Sequence, residues 1–269
     1  MNSSDRTGSE VFPLARSRER DGERARPVLA LLHGWGMNAR VFDSLVGLLA
    51  DDFDVRPLEL PGHGGRAALA QNTLQAWADD LAEQLPEDAL VLGWSLGGQV
   101  AMRAALDHPR KVARLVLLAS TPRFVAAADW DRGVDAGDLE AFGAALRADP
   151  DATLLRFLSL QTRGMAGQKT LLQDLRQTLL AGPAAADAAL AAGLAILRDS
   201  DLRSELSRLA QPVLVVHGAL DTLTPAAAGA WLAETLPAAR HVELPRAAHA
   251  PHLSHAEAVA EAIGRFAHD

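Results

Sequence analysis

From residue 27 onward the chain carries six short apolar runs, at 27–33, 55–60, 89–93, 112–120, 212–217 and 241–244, each bounded by Gly, Pro or polar residues. Runs such as Val28-Leu29-Ala30-Leu31-Leu32 and Leu115-Val116-Leu117-Leu118 show no alternation of apolar and polar positions. A strand of that kind has both faces covered, which is how strands of a parallel sheet read. Between the runs lie longer stretches with helical spacing, at 41–50, 73–85, 96–107, 226–236 and 256–267. The alternation predicts βαβ units and therefore an α/β fold built on a doubly wound, mostly parallel sheet.

The rhythm breaks at 122–209, where no strand-like run occurs and Ala, Leu, Arg and Asp recur at helical spacing. We expect a helical lid there, inserted after one strand and before the next, on the side where strand carboxyl ends carry ligands. The core is then expected at 27–121 and 210–269. Residues 1–26 mix Arg, Glu, Asp, Ser and Gly around one apolar piece, Val11 to Leu14, and are expected to form a disordered extension. That piece is too short for a secretory signal. No stretch approaches the roughly twenty apolar residues of a membrane span, so a soluble protein with no membrane partner is expected.

Composition narrows the chemistry. The 269 residues are 49% hydrophobic and 22% charged, enough for one catalytic domain with an insertion. The absence of cysteine removes disulfides, thiolate metal sites and a cysteine nucleophile, and fits a reducing compartment such as the cytoplasm. A formal charge of −8 argues against a nucleic-acid footprint, which needs clustered Lys and Arg. A monomer is the expected state.

The strongest local signal is Gly93-Trp94-Ser95-Leu96-Gly97-Gly98, between a predicted strand and a predicted helix. It is a G-x-S-x-G nucleophile elbow in the context that the α/β-hydrolase fold requires. A Ser at such a turn takes a strained backbone, and the flanking glycines let the turn close. A hydroxyl needs a base, and in this fold the order is Ser, then acid, then His, each after a later strand. Asp221 follows the run ending at His217, and His249 follows the run ending at Leu244. Asp199 and Asp201 are rival acids, but they precede that strand. Of the nine histidines, His252 and His255 are read as solvated, and His217 and His241 as structural. The oxyanion donors are expected to be the backbone N–H groups of Leu96 and of Trp35, in the loop His33-Gly34-Trp35-Gly36. Pro61-Gly62-His63-Gly64 is read as a structural βα turn. Neither metal-ligand spacing nor a phosphate loop is present in the sequence pattern, so no metal and no cofactor are expected. The chemistry is acyl transfer to water with Ser95, Asp221 and His249 as catalytic residues.

Between Ala152 and Arg176 stand Arg156, Arg163, Lys169 and Arg176 against one acid, Asp174. Arg156 and Arg163 are seven apart, as are Lys169 and Arg176, so each pair is expected to share a helical face. The cluster reads either as a solvated helix surface or as a docking patch for an acidic partner.

With those residues in view, the chain resembles the BioH family, the pimeloyl-[acyl-carrier protein] methyl ester esterases of biotin synthesis. The likeness runs from about Val28 to the C-terminus. It rests on Leu31-Leu32-His33-Gly34-Trp35-Gly36, on Leu92 to Gly98, on Arg156-Phe157-Leu158-Ser159-Leu160-Gln161-Thr162, and on Ala247-Ala248-His249-Ala250-Pro251 with Ser254-His255. The third piece is the most discriminating, because the others are widespread among α/β-hydrolases. The resemblance implies that Trp35, Ser95, Leu96, Phe157, Leu158, Ser159, Leu160, Gln161 and His249 contact substrate. It also implies that basic residues grip an acyl carrier protein: Arg156 matches one such position and Lys169 a second conservatively, while Ala152 and Gln173 stand where the family is basic. Arg163 and Arg176 are candidates to compensate. A broad carboxylesterase of short acyl esters, a carbon–carbon bond hydrolase and a binding protein without catalysis remain as alternatives, the last opposed by the intact triad.

Overall fold

The structure is a computed structural model that describes residues 26–165 and 167–269. The expected N-terminal extension lies, but for its last residue, outside the described residues.

Six strands form one sheet: β1 (Val28–Leu32), β2 (Asp54–Leu58), β3 (Ala89–Trp94), β4 (Val112–Leu118), β5 (Val213–Gly218) and β6 (Ala239–Leu244). Every pairing is parallel and the order is β2-β1-β3-β4-β5-β6. The core helices are α1 (Asp43–Leu49), α2 (Leu74–Gln84), α3 (Leu96–Asp107), α8 (Ala226–Thr235), α9 (Pro251–Ser254) and α10 (Ala256–His268). Between β4 and β5 lie α4 (Ala136–Ala148), α5 (Pro150–Gln161), α6 (Gln168–Leu180) and α7 (Asp187–Asp199).

The unbroken apolar runs are explained by the two faces they feed. Ala30, Leu32, Val91, Leu115, Leu117, Val213 and Val215 join the side chains of α2, α3 and α8 in one apolar cluster. Their neighbours Leu29, Leu31, Leu90, Leu92, Val116, Leu214 and Val216 join α1 and α10 in the other. Because side chains alternate across a strand, a strand covered on both faces needs apolar residues at every position. The edge strands β2 and β6 are largely exposed, and β2 tolerates Pro57 because an edge strand has no second neighbour to hydrogen-bond.

The chain turns one way from β1 to β2 and the other way from β3 onward, so β1 and β3 flank the topological switch point, with Leu32 opposite Gly93. Loops leaving the carboxyl ends of these two strands meet above the sheet, where open α/β sheets hold their ligands. The segment from β4 to β5 is anchored there. Leu158 of α5 and Leu175 of α6 are fully buried in the cluster on the α1 side, and burying each Leu contributes about 1.5–3 kcal/mol. The segment's two ends are clasped: Arg123 pairs with Asp201 (2.6 Å), Asp201 with Arg203 (2.7 Å), and the Leu202 N–H donates to the Pro122 carbonyl. Residues 121–135 are not helical and form only isolated bridges. Among the described residues no helix is long and apolar enough to cross a membrane.

Three local expectations are corrected. Arg156 and Arg163 do not share a helical face, because α5 ends at Gln161 and Gly164 takes a positive φ of 81°, leaving Arg163 in the turn beyond. Lys169 and Arg176 do both lie on α6. His252 is not solvated: it is fully buried, its ring against Trp94 (4.4 Å between centroids) and Phe42 (5.2 Å). The apolar side of short α9 turns inward and carries the imidazole with it. His241, in turn, is exposed on the edge strand β6.

Candidate active site

Ser95 joins β3 to α3 with φ 55° and ψ −119°, outside the regions that L-residues prefer. The surroundings enforce it. The Ser95 N–H donates to the Leu118 carbonyl (3.0 Å), and the Ser95 carbonyl accepts from the Ser120 hydroxyl (2.8 Å) and the Gly98 N–H (2.9 Å). A side chain at Gly93 would collide with the backbone of Gly97 and Gly98, and one at Gly97 with the carbonyls of Leu32 and His33. The elbow closes only because both positions lack a Cβ.

The Ser95 hydroxyl, 7% exposed as a residue, lies 3.0 Å from His249 Nε2. His249 Nδ1 lies 2.8 Å from Asp221 Oδ2. Three side chains from three loops, 126 residues apart in sequence between first and second, thus form one hydrogen-bonded line. His249 is held from its backbone as well: its N–H donates to the Gln161 carbonyl at the end of α5 (3.1 Å), and its carbonyl accepts from Trp94 Nε1 (2.8 Å).

Asp221 is fully buried. Burial pushes its pKa up, but the nearby His249, the hydrogen bond to that ring, His217 and the Thr224 N–H together outweigh burial and hold it below the usual carboxylate value. Its Oδ1 accepts the N–H groups of Leu223 (2.9 Å) and Thr224 (3.0 Å), and its Oδ2 accepts the Thr224 hydroxyl (2.7 Å). An ionised Asp facing Nδ1–H leaves Nε2 free to accept a proton. The rival acids are occupied elsewhere, Asp199 with Arg198 and Asp201 with Arg123 and Arg203.

The loop after β1 reaches the same point. A Cβ built on Gly34 would lie 3.2 Å from the Ser95 Cβ, so the backbone leading into Trp35 passes directly beside the hydroxyl. Among the described residues the Trp35 and Leu96 N–H groups donate to no other group. His33 braces this loop from below: its Nε2 lies 3.1 Å from the Leu60 N and 2.9 Å from Glu59 Oε2, and its Nδ1 lies 2.8 Å from the Gly34 carbonyl. His63, in the turn read as structural, is buried against His33 and Trp77, and burial pushes its pKa down to about 3.

Ser95, His249 and Trp35 line a cavity of about 230 Å³ whose other walls are mostly apolar, including Phe142, Phe157, Leu160, Leu194 and Leu223, with exposed Asp138 and Arg163 also on its lining. Of the five consecutive residues implied as substrate contacts, Phe157 and Leu160 face this cavity, as positions three apart on a helix do. Leu158 turns to the core, Ser159 bonds the Leu155 carbonyl, and the side chain of Gln161 is buried beside Met37. The Leu96 side chain is fully buried and does not line the cavity. Phe142 on α4 and Leu194 on α7 were not singled out from the sequence, because an apolar residue on an Ala-rich helix has the same signature whether it faces a cavity or a core. Arg156, Lys169 and Arg176 are exposed on α5 and α6.

A Ser–His–Asp line at the switch point of a parallel sheet defines a hydrolase of the α/β type, and the chain belongs to the alpha/beta hydrolase family, whose model matches residues 29–262. Within that family it belongs with the relatives named pimeloyl-[acyl-carrier protein] methyl ester esterase. The one from Nitrosomonas europaea is 46% identical over 231 residues, covering 86% of this chain and 92% of the relative. The one from Aromatoleum aromaticum is 46% identical over 237 residues, covering 86% and 94%. Among solved structures, an esterase from Exiguobacterium antarcticum superposes with a TM-score of 0.83 over 91% of this chain and 93% of its own at 21% identity, a likeness of fold. A hydrolase from Pseudomonas aeruginosa superposes with a TM-score of 0.74 at 31% identity, covering 91% of each chain.

Proposed function

We propose that this protein is a serine esterase that hydrolyses the methyl ester of pimeloyl-[acyl-carrier protein] to the free acid and methanol, a step of biotin synthesis. The observation that carries the reading is the line Ser95 Oγ, His249 Nε2, His249 Nδ1, Asp221 Oδ2, at 3.0 and 2.8 Å, opening into an apolar cavity. The names of relatives at up to 46% identity support the choice of ester.

Ser95 Oγ attacks the ester carbonyl while its proton passes to His249 Nε2, and Asp221 stabilises the resulting imidazolium. The Trp35 and Leu96 N–H groups receive the oxyanion, and loss of one such donor costs about a hundred- to a thousandfold in turnover. Collapse breaks the carbon–oxygen bond to the methoxy group, which leaves as methanol with the proton from His249. Water, deprotonated by His249, then cleaves the acyl-enzyme and releases the terminal carboxylate.

The apolar walls suit a methylene chain, and the helices between β4 and β5 act as the lid over it. Exposed Arg163 on the cavity lining, with Arg156, Lys169 and Arg176 on α5 and α6, forms the side that faces an acidic carrier protein and its phosphate-bearing arm. We take the enzyme to work as a cytoplasmic monomer without metal or cofactor.

The test is methanol release from pimeloyl carrier-protein methyl ester beside cleavage of a small p-nitrophenyl ester, with wild type, Ser95→Ala and Arg156→Glu/Lys169→Glu. The reading expects both activities to vanish with Ser95→Ala and the charge reversals to weaken only the carrier-borne reaction. Negligible turnover of the carrier ester by wild type, with the small ester still cleaved through Ser95, overturns the substrate and leaves a general carboxylesterase.

A further inference from the structure

Two imidazoles approach the same carboxylate. His249 Nδ1 lies 2.8 Å from Asp221 Oδ2, and His217 Nε2 lies 3.8 Å from that same oxygen, all three side chains being essentially buried. A buried carboxylate shared between two rings would hold neither in a fixed orientation. Thr224, three residues after Asp221 and 1% exposed, touches every member of this group. Its carbonyl lies 2.8 Å from His217 Nε2, so that nitrogen carries a proton and donates it to Thr224 instead of to Asp221. The Thr224 N–H donates to Asp221 Oδ1 (3.0 Å), and its hydroxyl donates to Oδ2 (2.7 Å). The same Oγ1 lies 3.3 Å from His249 Nδ1 and 3.0 Å from the Ala119 carbonyl at the end of β4.

One hydroxyl has one proton. Directed at the carboxylate it forms a charge-assisted bond and leaves its lone pairs toward Nδ1–H. Directed at Ala119 it would set an oxygen lone pair 2.7 Å from a carboxylate oxygen, which is repulsive. We propose that Thr224 is a positioning residue of this active site, whose carbonyl diverts His217 and whose hydroxyl commits Asp221 Oδ2 to His249. The inference rests on the triad reading above. The other titratable groups against this cluster are His252 on α9, which faces His249, and His241 on β6, which acts on His217.

The experiment compares wild type, Thr224→Val, Thr224→Ser and Ser95→Ala on a small p-nitrophenyl ester across pH, with the downfield proton NMR signal of the Asp–His bond recorded on the same proteins. Val matches Thr in shape and removes only the hydroxyl. Without the hydroxyl, Oδ2 is no longer committed to His249 and is free to turn toward His217, so the bond to Nδ1–H weakens and the imidazolium is held less tightly. We therefore expect Thr224→Val to lower kcat about tenfold with KM nearly unchanged, to move the acidic limb of the rate profile to lower pH, and to shift the downfield proton signal. Thr224→Ser restores all three. The proposal is overturned if Thr224→Val keeps the wild-type kcat and profile while Ser95→Ala is inactive. It is equally overturned if kcat falls without movement of the limb or the proton signal and Ser gives no rescue, which is a packing defect. Full activity of Ser95→Ala would instead sink the triad reading beneath it.

Discussion

Trp35 Nε1 donates to the Leu190 carbonyl at 2.8 Å, so a residue that lines the cavity together with Ser95 is tied to helix α7 of the segment between β4 and β5. The indole also meets Phe142 and Phe157 edge-on, at 5.4 and 5.0 Å between ring centroids. The loop after β1 is therefore held by the same helices that wall the cavity. Trp35→Phe keeps most of the ring packing but removes this tie; the Leu190 carbonyl, inside α7, keeps its helical donor, so the cost is about 0.5–1.5 kcal/mol. Turnover of a small ester is expected to fall more than KM changes. Gly193→Ala should act in the same direction, since its Cβ would stand 2.6 Å from Trp35 Cδ1. Unchanged kcat in both variants would mean the loop is rigid without the latch.

Asp221→Asn is nearly isosteric but offers Nδ1 a donor in place of an acceptor on one side, favouring the wrong imidazole tautomer. A fall in kcat of about ten thousandfold is expected, with the fold intact. Steady-state kinetics beside circular dichroism check it. Loss of less than about tenfold would assign the acid role elsewhere.

His252 is fully buried, neither of its ring nitrogens has a partner among the described residues, and burial followed by the proximity of His249 pushes its pKa down to about 3. Its unfolded value is about 6.5. Between those values the unfolded chain binds the proton and the folded chain does not, so stability falls as pH drops below about 6.5. At pH 5 the penalty from this one residue is on the order of 2 kcal/mol. His252→Phe, which keeps the aromatic contacts, should flatten the loss of stability between pH 6.5 and 5 in denaturant titrations. His63, also pushed down to about 3, leaves a residual slope of the same sign. A slope identical to wild type would show that His252 is already charged in the folded protein.

Asp201 takes both Arg123 and Arg203, each pair between 17% and 31% exposed, and thereby joins the two ends of the segment between β4 and β5. Solvent screening keeps such pairs modest. Asp201→Asn is expected to cost on the order of 1 kcal/mol, about 2–4 °C in Tm, with the difference shrinking at high salt. A larger loss of ester turnover than of stability would mean that the clasp also sets the height of the helices above Ser95.

What was legible in the chain was whatever depends on local periodicity and short-range turn chemistry. The six strands could be read because a strand covered on both faces must be apolar throughout, and the elbow at Ser95 because its geometry tolerates only glycine at 93 and 97. The order Ser95, Asp221, His249 followed from the order of strands, since each loop leaves a successive carboxyl end. The tertiary structure alone decided how side chains within one element divide their roles. Phe157 and Leu160 face the cavity while Leu158 turns to the core, because that depends on which neighbour each side of α5 meets. Burial of His252 and the break between Arg156 and Arg163 depend likewise on where α9 and α5 stop. Thr224 is a plain Thr before Pro in the sequence, and its contacts with Asp221, His249, His217 and Ala119 arise only when β4, β5 and the loop after β6 converge, since hydrogen-bond partners distant along the chain are set by packing and not by periodicity.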